Sequence, residues 1–296
     1  MAQCLTRQSL RGVYTALVTP FTREGDVDFP RLKDLVEWQV ASGVAGLAPV
    51  GTTGESPTLS MSEHKKVIDA VIECVAGRVP VLAGTGANAT SEAIELTLHA
   101  RAAGAQGTLQ VTPYYNRPTS EGLIRHFEAV AELGLPVVLY NVPGRTGREI
   151  PLEVVDRLAR HPMIIGIKEA AGNVDRVSHI VRNCDLAVMS GDDALALPMI
   201  SVGAVGVISV ASNVIPEAMV RLIGHALRGE MAEARALHLK YHGLFTDLFI
   251  ETNPIPVKAA LAMMGRCEEA YRLPLCSMAA ANRARLEATL KSLALI

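Results

Sequence analysis

The 296-residue sequence lacks several features by which a function class is often identified. It has no block of like charges and a formal net charge of only −2, so nothing indicates a nucleic-acid or membrane-surface partner. Its few cysteines form no C-x-x-C pair and no zinc-binding spacing with histidine, which predicts reduced thiols in a cytoplasmic protein. The opening MAQCLTRQSLRG also lacks the apolar core of a signal peptide.

One uncharged stretch, residues 194–216, is long enough to suggest a membrane helix. Pro198, Gly203 and Gly206 interrupt it, and its VGVISV segment is typical of a buried β-strand. We therefore expect no membrane-spanning segment.

Short apolar runs alternate with amphipathic stretches from residue 12 onward. The candidate strands are GVYTALVTP, VAGLAPV, VPVLAGT, GTLQVTP, PVVLYNV, MIIGIKE, LAVMSG and VGVISV. Apolar strands separated by helices favour a parallel sheet. Eight such repeats predict an α/β fold, a (β/α)8 TIM barrel, in which residues 1–228 form the catalytic barrel. Residues 229–296 contain only helical patterns, which predicts a C-terminal helical extension.

Helical periodicity covers residues 31–41, 63–76, 91–103, 120–132, 217–227, 232–248, 257–264 and 279–292. Three of these stretches begin with capping signals, in which serine or threonine precedes glutamate. The signals are Ser60 or Ser62 before Glu63, Thr90 or Ser91 before Glu92, and Thr119 or Ser120 before Glu121.

Lys168 is the residue that this pattern marks most clearly for chemistry. Active-site groups of such barrels lie where strands end, and Lys168 ends the apolar run MIIGIKE. Lysine is rarely buried without a partner, so one interpretation is an ion pair, for example with Glu169. The other is an amine nucleophile, because desolvation favours the uncharged, reactive form of a lysine. Lys258, at the start of a helix outside the barrel, is the weaker alternative.

Other strand ends carry hydroxyl groups and glycines. Tyr140 ends the strand before that of Lys168, so its phenol could shuttle protons to the amine or simply be a core tyrosine. The G-T-T-G-E loop, residues 51–55, could bind a small carboxylate or be an ordinary turn. A G-x-G-x-x-A match at residues 84–89 lacks the acidic residue of a dinucleotide site, and no strand end carries a metal-ligand cluster.

Eight motifs, in order, cover nearly the whole chain from about residue 12 to residue 274. They are VGTTGES (50–56), AGTGANAT (83–90), VTPYYNRP (111–118), LYNVPGRTG (139–147), IIGIKEA (164–170), SGDD (190–193), GVISV (206–210) and NPIPVK (253–258). This series resembles the family of pyruvate-dependent class I aldolases typified by dihydrodipicolinate synthase and N-acetylneuraminate lyase.

The resemblance implies a role for each matching residue. Lys168 would form a Schiff base with pyruvate, and Tyr140 would be its acid and base. Thr52 would connect Tyr140 to Tyr115, which would reach in from a neighbouring subunit. The pyruvate pocket would be completed by Thr53, which holds the carboxylate, and by Gly191 and Ile208. Because the imine nitrogen is the electron sink, no metal or organic cofactor is implied. Family members are homo-oligomers, either tetramers built from tight dimers or dimers.

Arg145 bears on the second substrate. Its guanidinium can grip a second carboxylate, which within the family favours condensation of pyruvate with L-aspartate 4-semialdehyde. Sialic-acid lyases usually have Ser-Thr in the glycine-rich loop and lack this arginine. The alternatives are an aldolase for a sugar acid, resembling N-acetylneuraminate lyase or 2-keto-3-deoxygluconate aldolase, and a non-catalytic barrel that binds a small acid. Arg145 itself could also be a solvent-facing loop residue.

The family resemblance also implies an allosteric lysine site at a subunit interface. The positions that match it are Ser56, His64, Asn88, Glu92 and Tyr114. Met61 and Pro57 depart from the pattern of lysine-sensitive members, and Met61 cannot supply a strong hydrogen bond. This departure weakens the case for feedback inhibition by lysine.

Overall fold

The structure, a computed structural model, describes residues 4–296 and contains eight parallel strands. They are β1 (Gly12–Ala16), β2 (Gly46–Ala48), β3 (Leu82–Gly84), β4 (Gly107–Val111), β5 (Val137–Asn141), β6 (Ile164–Glu169), β7 (Ala187–Ser190) and β8 (Gly206–Ser209). Each lies within one of the eight apolar runs, so the strand prediction is confirmed.

The strands form a ring in which neighbours follow the order β2-β1-β8-β7-β6-β5-β4-β3. A parallel bridge between Leu47 and Val81 joins β2 to β3. There the amide of Leu47 donates to the carbonyl of Pro80 at 3.0 Å. The predicted TIM barrel is therefore confirmed, and the carboxyl ends of all eight strands meet at one face.

Helices alternate with the strands and continue after them. The helices of the barrel are α1 (Phe29–Ala41), α2 (Met61–Val75), α3 (Thr90–Ala103), α4 (Ser120–Ala131), α5 (Pro143–Thr146), α6 (Leu152–Leu158), α7 (Val174–Asn183), α8 (Ala196–Ser201) and α9 (Pro216–Leu227). The helices after the barrel are α10 (Met231–Asp247), α11 (Ile255–Met263) and α12 (Ala280–Ser292). Every predicted helix is present, with its ends within two residues of the prediction. Helices α5 to α8 have no predicted counterpart. Helices α5, α6 and α8 have only four, seven and six residues, too few for a clear helical period, whereas α7 has ten residues with an amphipathic pattern that sequence reasoning missed.

Two of the three predicted caps are present. The Ser60 hydroxyl accepts from the amide of Glu63 at 3.2 Å, and the Glu63 carboxylate accepts from the amide of Ser60 at 2.9 Å. Thr119 caps α4 more simply: its hydroxyl accepts from the amide of Gly122 at 3.2 Å. The prediction for α3 is wrong: its N-cap is Ala89, and the Thr90 hydroxyl lies 2.9 Å from Nδ1 of His126 instead. A tertiary contact has taken the hydroxyl that the pattern assigned to the helix.

The apolar core has two parts, one inside the barrel and one between the strands and the helices. The inner part includes Tyr14, Tyr140, Met189 and Ile208. Tyr14 is fully buried, and a Cβ on Gly46 would overlap its ring, so glycine is needed there. Packed side chains thus fill the barrel interior up to the level of Tyr140.

The uncharged stretch that could suggest a membrane helix contains α8 and β8. Within residues 4–296, no helix combines the length and the apolar character needed to cross a bilayer. After the barrel, α10 packs against α9 and α12, and α11 packs against α12. The segment between α10 and α11 contacts the carboxyl-end face of the barrel, where the polar strand-end residues lie.

Candidate active site

Lys168 and Tyr140 are brought together by the register of two neighbouring strands. Tyr140 on β5 pairs directly with Lys168 on β6, so both side chains emerge at the same height. Lys168 is only 5% exposed, and its Nζ lies 4.3 Å from the centroid of the Tyr140 ring. The amine therefore sits over the aromatic face, within the barrel and close to its mouth.

Glu169 does not pair with Lys168. It lies on the other face of β6, fully buried, where its carboxylate accepts from Asn141 at 2.8 Å, the Ala171 amide at 2.9 Å and Arg176 at 3.3 Å. Burial raises the pKa of Glu169, and the charge of Arg176 opposes that rise. Within the described chain no carboxylate pairs with Lys168, so the ion-pair interpretation is wrong.

Lys258, the weaker alternative, has a structural partner. It is fully buried, and its Nζ donates to Oε1 of Glu55 at 2.5 Å. The same Nζ lies 4.1 Å from the centroid of the Phe21 ring. Burial lowers the pKa of Lys258, while the Glu55 carboxylate acts in the opposite direction. Of the two buried lysines, Lys258 is held in an ion pair, whereas Lys168 has no ion-pair partner within residues 4–296.

A cavity of about 190 Å³ opens beside Tyr140 at the carboxyl ends of the strands. Its polar lining includes Thr52, Ser56, Tyr114, Tyr140, Arg145 and Thr146. Gly191 lies against Lys168, since a Cβ on it would approach Cε of Lys168 to 2.9 Å. Ile208 is fully buried in the inner core that also holds Tyr140. These residues thus converge on one end of the barrel.

The glycine-rich loop after β2 is fixed from the far end of the chain. Thr53 is buried, and its Oγ1 accepts from Nδ2 of Asn253 at 3.0 Å. Sequence reasoning did not identify Asn253, although it begins the NPIPVK motif. The same loop ends at Glu55, whose φ of 53° lies in the left-handed region, and Lys258 holds that residue.

Arg145 lies on α5 at the rim of the cavity. Its side chain lines the cavity, and its Nη2 donates to the backbone carbonyl of Asn253 at 3.1 Å. The residue is exposed overall, and no carboxylate within residues 4–296 pairs with its guanidinium. Its guanidinium therefore retains donors for an acidic ligand.

Tyr115 is separated from the other predicted catalytic residues in this chain. It is 91% exposed, has a φ of 71°, and borders an outer groove together with Arg117 and Arg145. It does not line the cavity beside Tyr140. Tyr115 thus combines a large exposed aromatic surface with a left-handed backbone conformation.

Gly84 and Gly86 of the AGTGANAT motif serve close packing. A Cβ on Gly84 would lie 2.5 Å from the carbonyl oxygen of Val50, and one on Gly86 would overlap the amide of Val111. The match to a dinucleotide fingerprint is therefore explained by backbone segments that approach closely at these two positions.

The positions that match the family's lysine site lie near one another. Asn88 donates to the backbone carbonyl of Tyr114 at 3.3 Å. Burial, and to a lesser degree the charge of Glu92, raise the pKa of Tyr114. His64 is buried with Nε2 2.7 Å from the carbonyl of Gly84, and burial lowers its pKa. Ser56 lines the same cavity as Tyr114.

Asp193, from the SGDD motif, supports the segment after β8. It is buried, and its carboxylate accepts from the Ser209 hydroxyl at 2.5 Å and from the amides of Val210 and Ala211 at 3.1 and 2.8 Å. Burial raises the pKa of Asp193 to about 6. This carboxylate holds the backbone next to Ile208.

Comparison with known proteins shows similarity over nearly the whole chain. The model of the Dihydrodipicolinate synthetase family matches residues 9–293. A 4-hydroxy-tetrahydrodipicolinate synthase of Nitratidesulfovibrio vulgaris (strain Miyazaki F) is 51% identical over 290 residues, which cover 97% of this chain and 99% of the relative.

Two crystal structures show the same similarity in three dimensions. The dihydrodipicolinate synthase of Aquifex aeolicus has a TM-score of 0.95 and 48% identity, covering 97% of this chain and 99% of that one. The chloride-inhibited dihydrodipicolinate synthase of Acinetobacter baumannii, complexed with pyruvate, has a TM-score of 0.95 and 46% identity. It covers 97% of this chain and 100% of that one.

Proposed function

Since the chain belongs to the dihydrodipicolinate synthetase family, we propose that Lys168 is the residue that forms a Schiff base with pyruvate. The activity is that of a 4-hydroxy-tetrahydrodipicolinate synthase, a lyase of the diaminopimelate route to lysine. One observation carries the assignment of Lys168: its buried amine has no ion-pair partner and lies over Tyr140. The other buried lysine, Lys258, is already paired.

The first half of the reaction joins Lys168 to pyruvate. The uncharged amine attacks the keto carbon, and the resulting hydroxyl leaves as water when Tyr140 donates a proton. The methyl group then loses a proton to the deprotonated oxygen of Tyr140, and the electron pair moves to the imine nitrogen to give an enamine. Because that nitrogen accepts the electrons, the chemistry requires no metal or organic cofactor.

The hydroxyl groups around Lys168 supply binding and proton transfer. We assign Thr53 to the carboxylate of pyruvate and Thr52 to proton transfer between Tyr140 and Tyr115. Thr52 and Tyr140 line the same cavity, which supports this assignment. Gly191, which lies against Lys168, and Ile208 would border the bound pyruvate.

The second half uses L-aspartate 4-semialdehyde, whose carboxylate we assign to Arg145. The enamine carbon attacks the aldehyde carbon, so a carbon–carbon bond forms and the aldehyde oxygen becomes a hydroxyl. The amino group of the same substrate then attacks the imine carbon, closes the ring and releases the amine of Lys168. The product is 4-hydroxy-tetrahydrodipicolinate.

Borohydride trapping tests this assignment directly. Incubation with pyruvate and borohydride should leave a reduced adduct on the peptide that contains Lys168, as peptide mass mapping would show. Turnover with L-aspartate 4-semialdehyde, run beside it, separates the alternatives. An adduct with turnover only of a sugar acid would indicate a sister aldolase, and the absence of any adduct would indicate a non-catalytic barrel.

Replacement of Arg145 by alanine should affect the second substrate and not the first. We expect the KM for aspartate semialdehyde to rise roughly 10- to 100-fold, because a charge-assisted hydrogen bond is lost. The borohydride adduct with pyruvate should form as in the unaltered protein. Arg125→Ala, which removes an exposed arginine of α4 paired with Glu121, is the control and should change neither quantity. If Arg145→Ala weakened adduct formation with pyruvate as much as the use of aspartate semialdehyde, the assignment would be contradicted.

We propose that the protein is a homo-oligomer in which Tyr115 completes the site of a neighbouring subunit, as a dimer or as a tetramer of two dimers. The exposure of Tyr115 and its absence from the lining of its own chain's cavity support this proposal. Subunit mixing provides the test. Lys168→Ala and Tyr115→Phe proteins should each have little activity, whereas mixed oligomers should regain one working site per mixed pair. Activity no higher than that of Tyr115→Phe alone would show that Tyr115 acts within its own chain.

We also propose that lysine binds at the site of Ser56, His64, Asn88, Glu92 and Tyr114 and inhibits this protein only weakly. Met61 offers no strong hydrogen bond there. Nε2 of His64 already contacts the Gly84 carbonyl.

Two broader proposals accompany the activity. The catalytic barrel would end at residue 228, with residues 229–296 as its helical extension. The cytoplasm would be its location, which the scattered cysteines support.

A further inference from the structure

We infer that Asn253 is a positioning residue that makes the Thr53 hydroxyl a hydrogen-bond donor toward the first substrate. The inference rests on the proposed function, because it takes Thr53 as the residue that holds the carboxylate of pyruvate. Asn253 belongs to the segment between α10 and α11, outside the barrel strands and their loops.

Asn253 contacts both of the groups assigned to substrate carboxylates. Its side-chain Nδ2 donates to Oγ1 of Thr53 at 3.0 Å, and its backbone carbonyl accepts from Nη2 of Arg145 at 3.1 Å. The residue is only 4% exposed, so solvent does not compete strongly for these hydrogen bonds. One residue thus connects the loop after β2 with the arginine on α5.

The direction of the hydrogen bond to Thr53 has a chemical consequence. A threonine hydroxyl has one hydrogen to donate and two lone pairs to accept. The amide of Asn253 can only donate from Nδ2, so it occupies a lone pair of Oγ1 and leaves the hydroxyl hydrogen free. A carboxylate accepts hydrogen bonds and cannot donate them. The amide therefore selects the hydroxyl orientation that a bound carboxylate needs.

The other polar side-chain atom of Asn253 is left without a partner in residues 4–296. Its Oδ1 is buried and has no hydrogen-bond partner within the described part of the chain. A buried acceptor without a partner is unfavourable, so a role in packing alone does not explain an asparagine here. If Oδ1 faced Thr53 instead, the hydroxyl would donate to it and would be lost to the substrate.

The two segments are also held together by a second contact. Glu55 follows Thr53 by two residues, Lys258 follows Asn253 by five, and their fully buried side chains form the ion pair of 2.5 Å. This ion pair keeps the segments in place without the Asn253 side chain. Substitution of Asn253 can therefore alter the Thr53 hydroxyl while the loop stays docked.

Steady-state kinetics of Asn253→Ala and Asn253→Asp test the inference. We expect Asn253→Ala to raise the pyruvate KM about tenfold with little change in kcat, since one oriented hydrogen bond is lost. Asn253→Asp should raise it further, to about 100-fold, because the Thr53 hydroxyl would donate to the new carboxylate, whose charge also repels pyruvate. The KM for aspartate semialdehyde should change much less in Asn253→Ala, because Arg145 contacts the main-chain carbonyl, which remains.

A double-mutant cycle with Thr53→Val shows whether Asn253 acts through Thr53. In that background Asn253→Ala should have no further effect on the pyruvate KM. Tyr271→Phe is the matched control: it removes a hydrogen bond of 3.0 Å to the Ile255 carbonyl at the start of α11 without touching Thr53. It should leave the pyruvate KM unchanged.

The possible failures are distinguishable. An unchanged pyruvate KM in both Asn253 variants, a smaller effect of Asn253→Asp than of Asn253→Ala, or full additivity with Thr53→Val would overturn the inference alone. If the unaltered protein formed no borohydride adduct with pyruvate, the proposed function would be overturned and the inference with it.

Discussion

Lys168→Ala is expected to form no adduct with pyruvate and borohydride and to lose activity by about a thousandfold or more. Alanine removes the nitrogen that both attacks pyruvate and accepts the electron pair of the methyl carbanion. No neighbouring group can replace it: Tyr140 is not an amine, and Lys258 is held by Glu55. The adduct is measured by peptide mass mapping and the activity by formation of 4-hydroxy-tetrahydrodipicolinate.

Two further variants show whether activity is lost because the nucleophilic amine of Lys168 is missing. Lys168→Arg places a long nitrogen-containing side chain near the Tyr140 ring but has no comparable nucleophilic amine, so it should be inactive as well. Lys66→Ala, at an exposed position of α2, should retain both adduct and activity. An adduct that persisted in Lys168→Ala would mean that another amine carries the reaction.

Lys258→Met is expected to lower the free energy of unfolding by about 3–5 kcal/mol. The substitution leaves the Glu55 carboxylate buried without its cation, in a site where both side chains are fully excluded from solvent. Glu55→Gln should destabilise the protein for the converse reason. Urea unfolding would measure both effects, and adduct formation should weaken in parallel because Glu55 ends the loop that carries Thr53.

The double variant separates the loss of a pair from the burial of a lone charge. Lys258→Met combined with Glu55→Gln should be less destabilised than the sum of the single changes, since no uncompensated charge remains. The exposed pair Lys65–Glu95, with Nζ 2.6 Å from Oε1, is the comparison. Lys65→Met should change the free energy of unfolding by less than about 1 kcal/mol. If Lys258→Met also lowered the free energy of unfolding by less than about 1 kcal/mol, the buried pair would contribute little to stability.

The elements of the fold were predictable because their signals are local. Strands such as β6 and helices such as α2 are encoded by runs and periods within about a dozen residues, and the Ser60 cap lies three residues from its partner. The failures arose where a distant residue intervened. Thr90 could cap α3, but its hydroxyl contacts His126 on α4.

The candidate site was predictable in part. The position of Lys168 at the end of an apolar strand marked it directly, and the register placed Tyr140 beside it. The roles of Thr52, Thr53, Arg145 and Tyr115 came from resemblance and remain proposals. The sequence ranked Lys168 above Lys258 by its position at a strand end, and the structure added that Lys258 is held in a buried ion pair with Glu55.

The amino-acid sequence by itself determined the order of strands and helices, the barrel and the strand ends at which polar groups would meet. The tertiary structure decided which of those groups touch. Thr53 contacts Asn253 across 200 residues of sequence, Glu55 contacts Lys258 across 203, and Tyr115 is left exposed. Hydrophobic periodicity shows whether a segment is a helix or a strand and which of its faces is buried. Contacts between remote segments depend instead on how the closed barrel and its C-terminal helices pack together.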